Sequence, residues 1–292
     1  VWNETGASLN LRIHPAPWET TWAYLLYFAT AGFGVFGYVR RQQRLQAFAM
    51  EQERKEAELE EARQFQLDML PKDTPEDLDL DIAAAIETAS EVGGDYYDYF
   101  PQDDKKSLYV VVGDATGHGM TAGMMVSITK AGLYGIPSIP PNDIAKRLNR
   151  VIKNIDLGWN RMAFNMARFW EDKVEFTSAA MPPVYHFHGE TGDVDEILIE
   201  GLPLGSIKDE TFTLKEFDFK KDDSLVFISD GLPEATNHTE EMLGYEAVMD
   251  CVKTNGHLGA EEQKQALLDL GAAWLGGLRN QDDITIVVVK KK

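Results

Sequence analysis

The stretch Gly94–Ala115 reads GDYYDYFPQDDKKSLYVVVGDA. Two runs rich in Tyr, Phe and Val, Tyr96–Phe100 and Leu108–Gly113, flank the polar segment Gln102–Lys106. Runs of that composition around a turn predict a β-hairpin. A hairpin centred between Asp104 and Lys105 sets Asp95 directly opposite Asp114, with Cβ atoms about 4.5–5.5 Å apart. Two like charges in that position repel, and a bridging cation removes the objection. Carboxylates are hard oxygen ligands, which favour Mg²⁺ or Mn²⁺. A pair of such ions can activate a water and neutralise a phosphoryl group.

The same pairing of apolar strand and terminal aspartate recurs downstream. Leu225-Val-Phe-Ile-Ser-Asp230 closes one strand and is followed by Gly231, and Asp282-Asp-Ile-Thr-Ile-Val-Val-Val289 opens another. Three of the four aspartates therefore abut apolar strands at the rim of a buried sheet, where a carboxylate is costly unless paired or metal-bound. Gly93, Gly94, Gly113, Gly117 and Gly119 leave room for close backbone approach. Singly, each Asp beside a Gly reads as a turn residue. Together, with two in cross-strand register, they predict a carboxylate metal site.

Further strands are expected at Leu80–Ile86, Ala163–Trp170, Val174–Ser178, Val184–Phe187, Phe212–Phe219, Leu225–Ser229 and Ile284–Val289. Helices are expected at Thr121–Tyr134, Asn142–Ile155, Tyr245–Lys253 and Ala260–Leu275. Strands come in consecutive groups and helices in pairs, which predicts an α+β fold rather than strict βαβ alternation.

A net charge of −20 argues against nucleic acid as a partner, because phosphate binding needs clustered Lys and Arg. The single cysteine, Cys251, excludes an internal disulfide and fits a reducing compartment. The sequence shows no Cys/His cluster for zinc.

Trp22–Val39 holds 18 residues without a charge, near the short end of the roughly 17–25 that span a bilayer. Trp18, Trp22 and Tyr24 stand at one end and Tyr38 at the other, as interfacial aromatics do. Arg40, Arg41 and Arg44 follow at once, so the C-terminal side is expected in the cytoplasm. A buried core helix is the alternative; a signal peptide lacks its basic start and cleavage site here. This reading predicts a single-pass protein of the inner (cytoplasmic) membrane. The chain starts Val1-Trp-Asn-Glu, without methionine, and reads as part of a longer protein.

Residues 40–70 hold no Gly or Pro and are rich in strong helix formers. A heptad frame runs through Leu45, Phe48, Gln52, Lys55, Leu59, Ala62, Gln66 and Met69. Polar residues occupy half of it, so the segment reads as a weak coiled coil or a rigid spacer. The sharper expectation is a homodimer through residues 40–70 whose register or crossing angle changes the metal site. Pro71 stops the helix.

Four segments, Glu91-Val-Gly-Gly-Asp-Tyr-Tyr-Asp-Tyr-Phe100, Gly113-Asp-Ala-Thr-Gly-His-Gly119, Phe227-Ile-Ser-Asp-Gly-Leu-Pro-Glu-Ala235 and Gln281-Asp-Asp-Ile-Thr285, occur in order. They resemble the SpoIIE-like branch of the metal-dependent (type 2C) protein serine/threonine phosphatases, over roughly Gln64–Val289. The helix Gln64-Phe-Gln-Leu-Asp-Met-Leu-Pro71 also looks like the lead-in to such a domain. The resemblance implies a four-layer α-β-β-α sandwich over residues 71–292, with two Mn²⁺ or Mg²⁺ ions between the sheets. It implies that Asp114 bridges both ions, that the Ala115 carbonyl adds a ligand, that Asp95 serves one ion, and that Asp230 and Asp282 serve the other. Asp283 is a weaker ligand than Asp282 on this pattern. Asp114 and Asp230 are the expected catalytic residues. A metal-activated water would attack phosphoserine or phosphothreonine directly, without a phosphoenzyme. The expected substrate is a phosphorylated regulatory protein of the anti-sigma-factor-antagonist type. His118 stands either as a general acid or as a packing residue.

One segment departs from the pattern. Ser178-Ala-Ala-Met-Pro-Pro183 stands where the family usually has Asn-Ala-Gly-His-Pro-Pro. Met181 cannot donate a hydrogen bond or a proton, which bears on substrate positioning and rate. Residues 1–21 look like the end of the extracellular or periplasmic sensor domain that follows the propeller in large bacterial one-component sensors.

Three alternatives are open. A non-catalytic dimeric signalling module could keep the fold. Gly93-Gly94-Asp95 resembles the hairpin of diguanylate cyclases, but Tyr96-Tyr97 stands where Glu-Phe is needed. A histidine kinase would need a histidine on the 40–70 helix, and none of the six lies there.

Overall fold

The computed structural model describes residues 16–72, 75, 79–89, 92–101, 107–117, 119–155 and 157–292. They fall into two compact units divided between Ala57 and Glu58.

Of the first unit, a 3₁₀ turn at Pro17–Glu19 precedes helix α1, Thr21–Met69. Thr20 caps that helix, its Oγ1 accepting from the Ala23 amide at 3.4 Å. The apolar segment and the charged segment that follows form one unbroken helix, because no proline interrupts Thr21–Met69. Trp22, Phe28 and Phe33 are almost wholly exposed. By length and composition, and by those alone, the segment can cross a membrane.

The second unit holds the end of α1 and two five-stranded sheets. The first sheet runs β1 (Leu80–Glu87), β10 (Ile284–Lys291), β9 (Ser224–Ile228), β6 (Val184–Phe187) and β7 (Val194–Ile197). The second runs β2 (Asp95–Pro101), β3 (Ser107–Ala115), β4 (Met162–Trp170), β5 (Lys173–Ala179) and β8 (Lys215–Asp218). Every neighbouring pair is antiparallel.

Alternation along each strand builds three apolar layers. Val110 and Val112 of β3 meet Phe227, Val287 and Val289 between the sheets. Tyr109 and Val111, one residue out of phase, face α2 (Met120–Tyr134) and α3 (Pro141–Ile155). Val226, Ile228 and Val288 face α4 (Tyr245–Asn255) and α5 (Ala260–Leu275). The result is the expected α-β-β-α sandwich. Central strands covered on both faces read as continuous apolar runs, which is why β3, β9 and β10 stand out in the sequence.

The edges were harder to read. β7, Val194-Asp-Glu-Ile197, carries two exposed acids and was not expected as a strand. β8 is confined to Lys215–Asp218, shorter than the Phe212–Phe219 run suggested. Short, charged edges discourage pairing with other chains.

Within the second unit, the last turn of α1 packs against the sandwich. Gln66 is buried, and Met69 Sδ accepts from Ser127 Oγ at 3.7 Å. The last two positions of the heptad frame are thus engaged within the chain, Leu59 and Ala62 are half-buried, and Leu45, Phe48, Gln52 and Lys55 are exposed.

Candidate metal centre

Strand register brings the aspartates to one end of the sandwich. In the β2–β3 hairpin Tyr96 pairs with Gly113 and Asp95 with Asp114, the register expected from the sequence. The turn residues Gln102–Lys106 lie outside the described residues. In the other sheet, Ile228 of β9 pairs with Ile286 of β10. Asp230, just past β9, and Asp282, just before β10, therefore stand at the same end of that sheet. Ser229 ties the two strand ends: its Oγ accepts from the Thr285 amide at 2.8 Å and donates to the Asp283 carbonyl at 3.1 Å.

The electrostatics of this corner are unfavourable for an empty site. Burial, then the Asp114 charge, push the Asp95 carboxyl far above the usual range, against the pull of the Thr285 and Ser229 hydroxyls. Burial, then Asp230, Asp282 and Asp283, raise Asp114 to about 8. Burial, then Asp282, raise Asp230. Among the described residues, no ion pair reaches any of these carboxylates.

Asp98, three residues from Asp95, shows the contrast. It is equally buried, but Tyr96 Oη and Lys130 Nζ each donate to its Oδ2 at 2.7 Å and the Tyr99 amide donates to its Oδ1 at 2.9 Å. Asp95 Oδ2 is buried with no hydrogen-bond partner. A buried, unpartnered carboxylate oxygen among three further acids fits a hard divalent cation. Asp95, Asp114, Asp230 and Asp282 are the side chains that would hold one or two such ions, with the Ala115 carbonyl beside them.

Asp283 has a different job. Its Oδ1 accepts from the Ala89 amide at 2.7 Å, and its Oδ2 accepts from the Gly94 amide at 2.7 Å and the Asp95 amide at 3.4 Å. Asp283 thereby holds the Gly94 and Asp95 amides in place, and both it and the more exposed Asp282 line a cleft of about 320 Å³ with Asp114, Ala115, Gly117 and Gln281. Both Asp283 oxygens thus accept from backbone amides, whereas Asp282 Oδ1 accepts from the Asp283 amide at 2.8 Å. Gln66 was missed altogether as a contributor. Its Nε2 donates to the Gly93 carbonyl at 2.9 Å and its Oε1 accepts from the Gly93 amide at 3.1 Å. A polar residue at a heptad seam was the only signal of it. His118 and Glu91 lie outside the described residues.

Gly94 is required by close approach. A Cβ there would sit 2.6 Å from the Ala115 carbonyl and 3.1 Å from Asp114 Oδ1. Gly94→Ala is expected to destabilise the domain by about 1–3 kcal/mol and to raise the Mn²⁺ concentration needed for activity. Thermal melts in chelator and a Mn²⁺ titration of hydrolysis would check the two effects separately.

On the other side of Asp230 lies a cavity of about 490 Å³ lined by Ala180, Met181, Pro182, Glu234 and Tyr245. Met181 also packs into the inter-sheet core. Ala180 takes the left-handed conformation, φ 61°, which costs a residue with a Cβ about 1–2 kcal/mol relative to Gly. The segment thus keeps the backbone bend without the usual glycine, and exchanges a polar ring for an apolar chain.

The sequence profile of the family described as Stage II sporulation protein E (SpoIIE) matches residues 104–292. The chain belongs to the SpoIIE family. Phosphoserine phosphatase RsbU of Bacillus subtilis is 28% identical over 265 residues, covering 88% of this chain and 77% of RsbU. Among solved structures, the SiaA-PP2C domain of Pseudomonas aeruginosa superposes with a TM-score of 0.71 at 21% identity, over 82% of this chain and 97% of that one. The RsbU and RsbW domains of Rv1364c from Mycobacterium tuberculosis give 0.62 at 21%, over 73% of this chain and 60% of that one. These structures share the two-sheet sandwich described above.

Proposed function

We propose that this chain is a membrane-anchored, metal-dependent protein serine/threonine phosphatase, the output part of a sensor, acting on a phosphorylated regulatory protein. It carries a protein serine/threonine phosphatase domain. The observation that supports the metal role is the unpartnered Asp95 Oδ2 in a corner with Asp114, Asp230 and Asp282.

When bound, two Mn²⁺ or Mg²⁺ ions would supply an activated water and neutralise the phosphoryl oxygens. The chain does the rest. Asp95, Asp114, Asp230 and Asp282 hold the charge in place. The 320 Å³ cleft beside Asp114 admits a phosphoryl group, and the half-apolar 490 Å³ cavity beyond Asp230 receives neighbouring parts of the substrate. The water oxygen would bond to phosphorus as the phosphorus–oxygen bond to serine or threonine breaks, and a proton given up by that water would end on the departing alkoxide oxygen, leaving a free hydroxyl and inorganic phosphate.

The partner is read from chemistry that relatives carry: RsbU is a phosphoserine phosphatase, and Rv1364c joins RsbU and RsbW domains. A partner-switching pathway fits both. The apolar part of α1, with Arg40, Arg41 and Arg44 after it, supports an inner-membrane anchor with the phosphatase in the cytoplasm. Residues 40–70 would pair two copies of the chain.

The test is hydrolysis of a phosphoserine peptide by the purified chain with Mn²⁺. Activity is expected for the native sequence and loss of nearly all of it in Asp230→Asn. Equal turnover in the two proteins would sink the assignment.

A further inference from the structure

The opposite end of the first sheet gathers a second set of ligand-type side chains. Asp223 precedes β9 and Asp230 follows it, seven residues on, a separation of roughly 20 Å along an extended strand. At this far end His186 of β6 and His188, two residues later, hold their rings with centroids 4.1 Å apart. His186 Nε2 lies 3.2 Å from Asp223 Oδ2, and His188 Nε2 lies 2.8 Å from Asp195 Oδ2. Asp195, on β7, is the register partner of His186. One ligand atom from each of His186, His188 and Asp223 falls within 4.8 Å of the others.

These groups are held in place before any ion arrives. The Gly189 amide donates to Asp223 Oδ1 and the Lys220 amide to its Oδ2, both at 2.8 Å. Phe217 and Phe219 pack on the His186 ring, at 5.1 and 5.8 Å between centroids. His186 and Asp223 are 2% and 3% exposed, so neither can turn to water. Burial, then the neighbouring His188, hold the His186 imidazole below its ordinary range. A neutral imidazole presents a lone pair. The nearby lysines are engaged elsewhere: Lys215 Nζ donates to the Leu198 carbonyl at 2.9 Å, and Lys220 Nζ faces Glu190 at 3.9 Å.

The geometry suits a small cation. Ligand atoms about 2.0–2.1 Å from a tetrahedral zinc lie roughly 3.3 Å from one another, and the His186–Asp223 separation is 3.2 Å. Beside the cluster opens a cavity of about 640 Å³, lined by six carboxylates, Glu190, Glu196, Glu216 and Asp218 among them, and two lysines. That balance draws cations. Imidazole nitrogens select borderline metals, unlike the all-oxygen set at the other end of β9.

We propose that His186, His188 and Asp223 bind one divalent transition-metal ion of the zinc class, with Asp195 orienting His188. The ion would pin the β6–β7 hairpin to the turn ahead of β9. This site is independent of the aspartate centre.

The test is calorimetric titration of the untagged full chain in detergent with Zn²⁺, in the presence of excess Mg²⁺. One bound Zn²⁺ per chain is expected, and it should persist in Asp114→Asn. His188→Gln, at a partly exposed position that leaves the core intact, should weaken Zn²⁺ binding at least ~100-fold without changing Mn²⁺-supported hydrolysis. With Co²⁺ as probe, the native chain should show visible d–d absorption from nitrogen ligation that His188→Gln lacks. A chain that binds no Zn²⁺, a Zn²⁺ lost in Asp114→Asn, or equal affinity in His188→Gln would overturn the proposal. None of these outcomes would touch the phosphatase reading, which is tested by hydrolysis.

Discussion

Asp114→Asn lowers Mn²⁺-supported hydrolysis of a phosphoserine peptide on the order of 10³-fold, and at the same time stabilises the metal-free protein. The loss follows from position. Asp114 sits opposite Asp95 and within electrostatic reach of Asp230 and Asp282, so its carboxylate is the one common to both halves of the corner. Metal ions supply several kcal/mol of charge stabilisation to such a reaction, and each 1.36 kcal/mol is tenfold in rate. The gain follows from the raised carboxyl of Asp114, at about 8 against an ordinary 3.8. A carboxyl raised on folding favours the native state fully at pH below its unfolded value. That contribution fades as pH climbs from about 4 through about 8. At pH 8 the metal-free native chain must therefore either hold a proton the unfolded chain has lost or bear a crowded charge, a cost that asparagine removes. Shared among coupled acids, the relief is worth about 2 kcal/mol, or about 4–8 °C in melting temperature. Melts in chelator at pH 8 should place Asp114→Asn above the native chain, with the gap closing toward pH 5. With Mn²⁺ added the order should reverse. A variant that melts lower than the native chain in chelator at pH 8 would contradict the crowded-carboxylate account.

The aspartate corner was legible in the sequence because it is made by register, and register follows from a short hairpin with a defined centre. Asp95 and Asp114 sit at positions that any correct pairing of Tyr96–Phe100 with Leu108–Gly113 must bring together. Asp230 and Asp282 were legible for a similar reason, since each marks the end of a continuous apolar strand. Other contributors depend on contacts that no local pattern records. Asp283 and Asp282 are adjacent in sequence and equal in chemistry. Only the fold bonds the Asp283 oxygens to the Ala89 and Gly94 amides and leaves Asp282 the more exposed of the two, although both line the same cleft. The His186–His188–Asp223 cluster was invisible because it joins a central strand to a turn 37 residues away, and its fourth member lies on β7, an edge strand without an apolar signal. In the heptad frame Gln66 is a polar seam residue of the kind that weakens pairing, although its partner is the backbone of Gly93.

That contact makes Gln66→Leu the second large effect. Gln66 is the buried residue of α1, and its amide meets both polar groups of one peptide residue, the Gly93 N–H and C=O. Leucine fills a similar volume but satisfies neither group, and each buried group left unpaired costs about 1–3 kcal/mol. The cost falls at a sensitive place. Gly93 leads directly into Gly94, whose amide is held by Asp283, and into Asp95, whose side chain has the unpartnered oxygen. A loosened Gly93 lets Asp95 drift from Asp114 without altering any ligand. The expected result is a rise of about 10-fold or more in the Mn²⁺ concentration for half-maximal hydrolysis, as outer partners of metal ligands typically give. Turnover at saturating Mn²⁺ should fall much less, because bound metal restores the geometry. Gln66→Glu, which keeps an acceptor for the Gly93 amide and loses the donor to its carbonyl, should lie between. A purely structural role would lower the melting temperature and leave the Mn²⁺ midpoint unchanged, and that outcome would sink the coupling. If the midpoint moves, the end of α1 is wired to the metal corner through one side chain. A rotation or shift of α1 then has a direct physical route to the loading of the site, which is what a signalling helix ahead of a phosphatase domain needs.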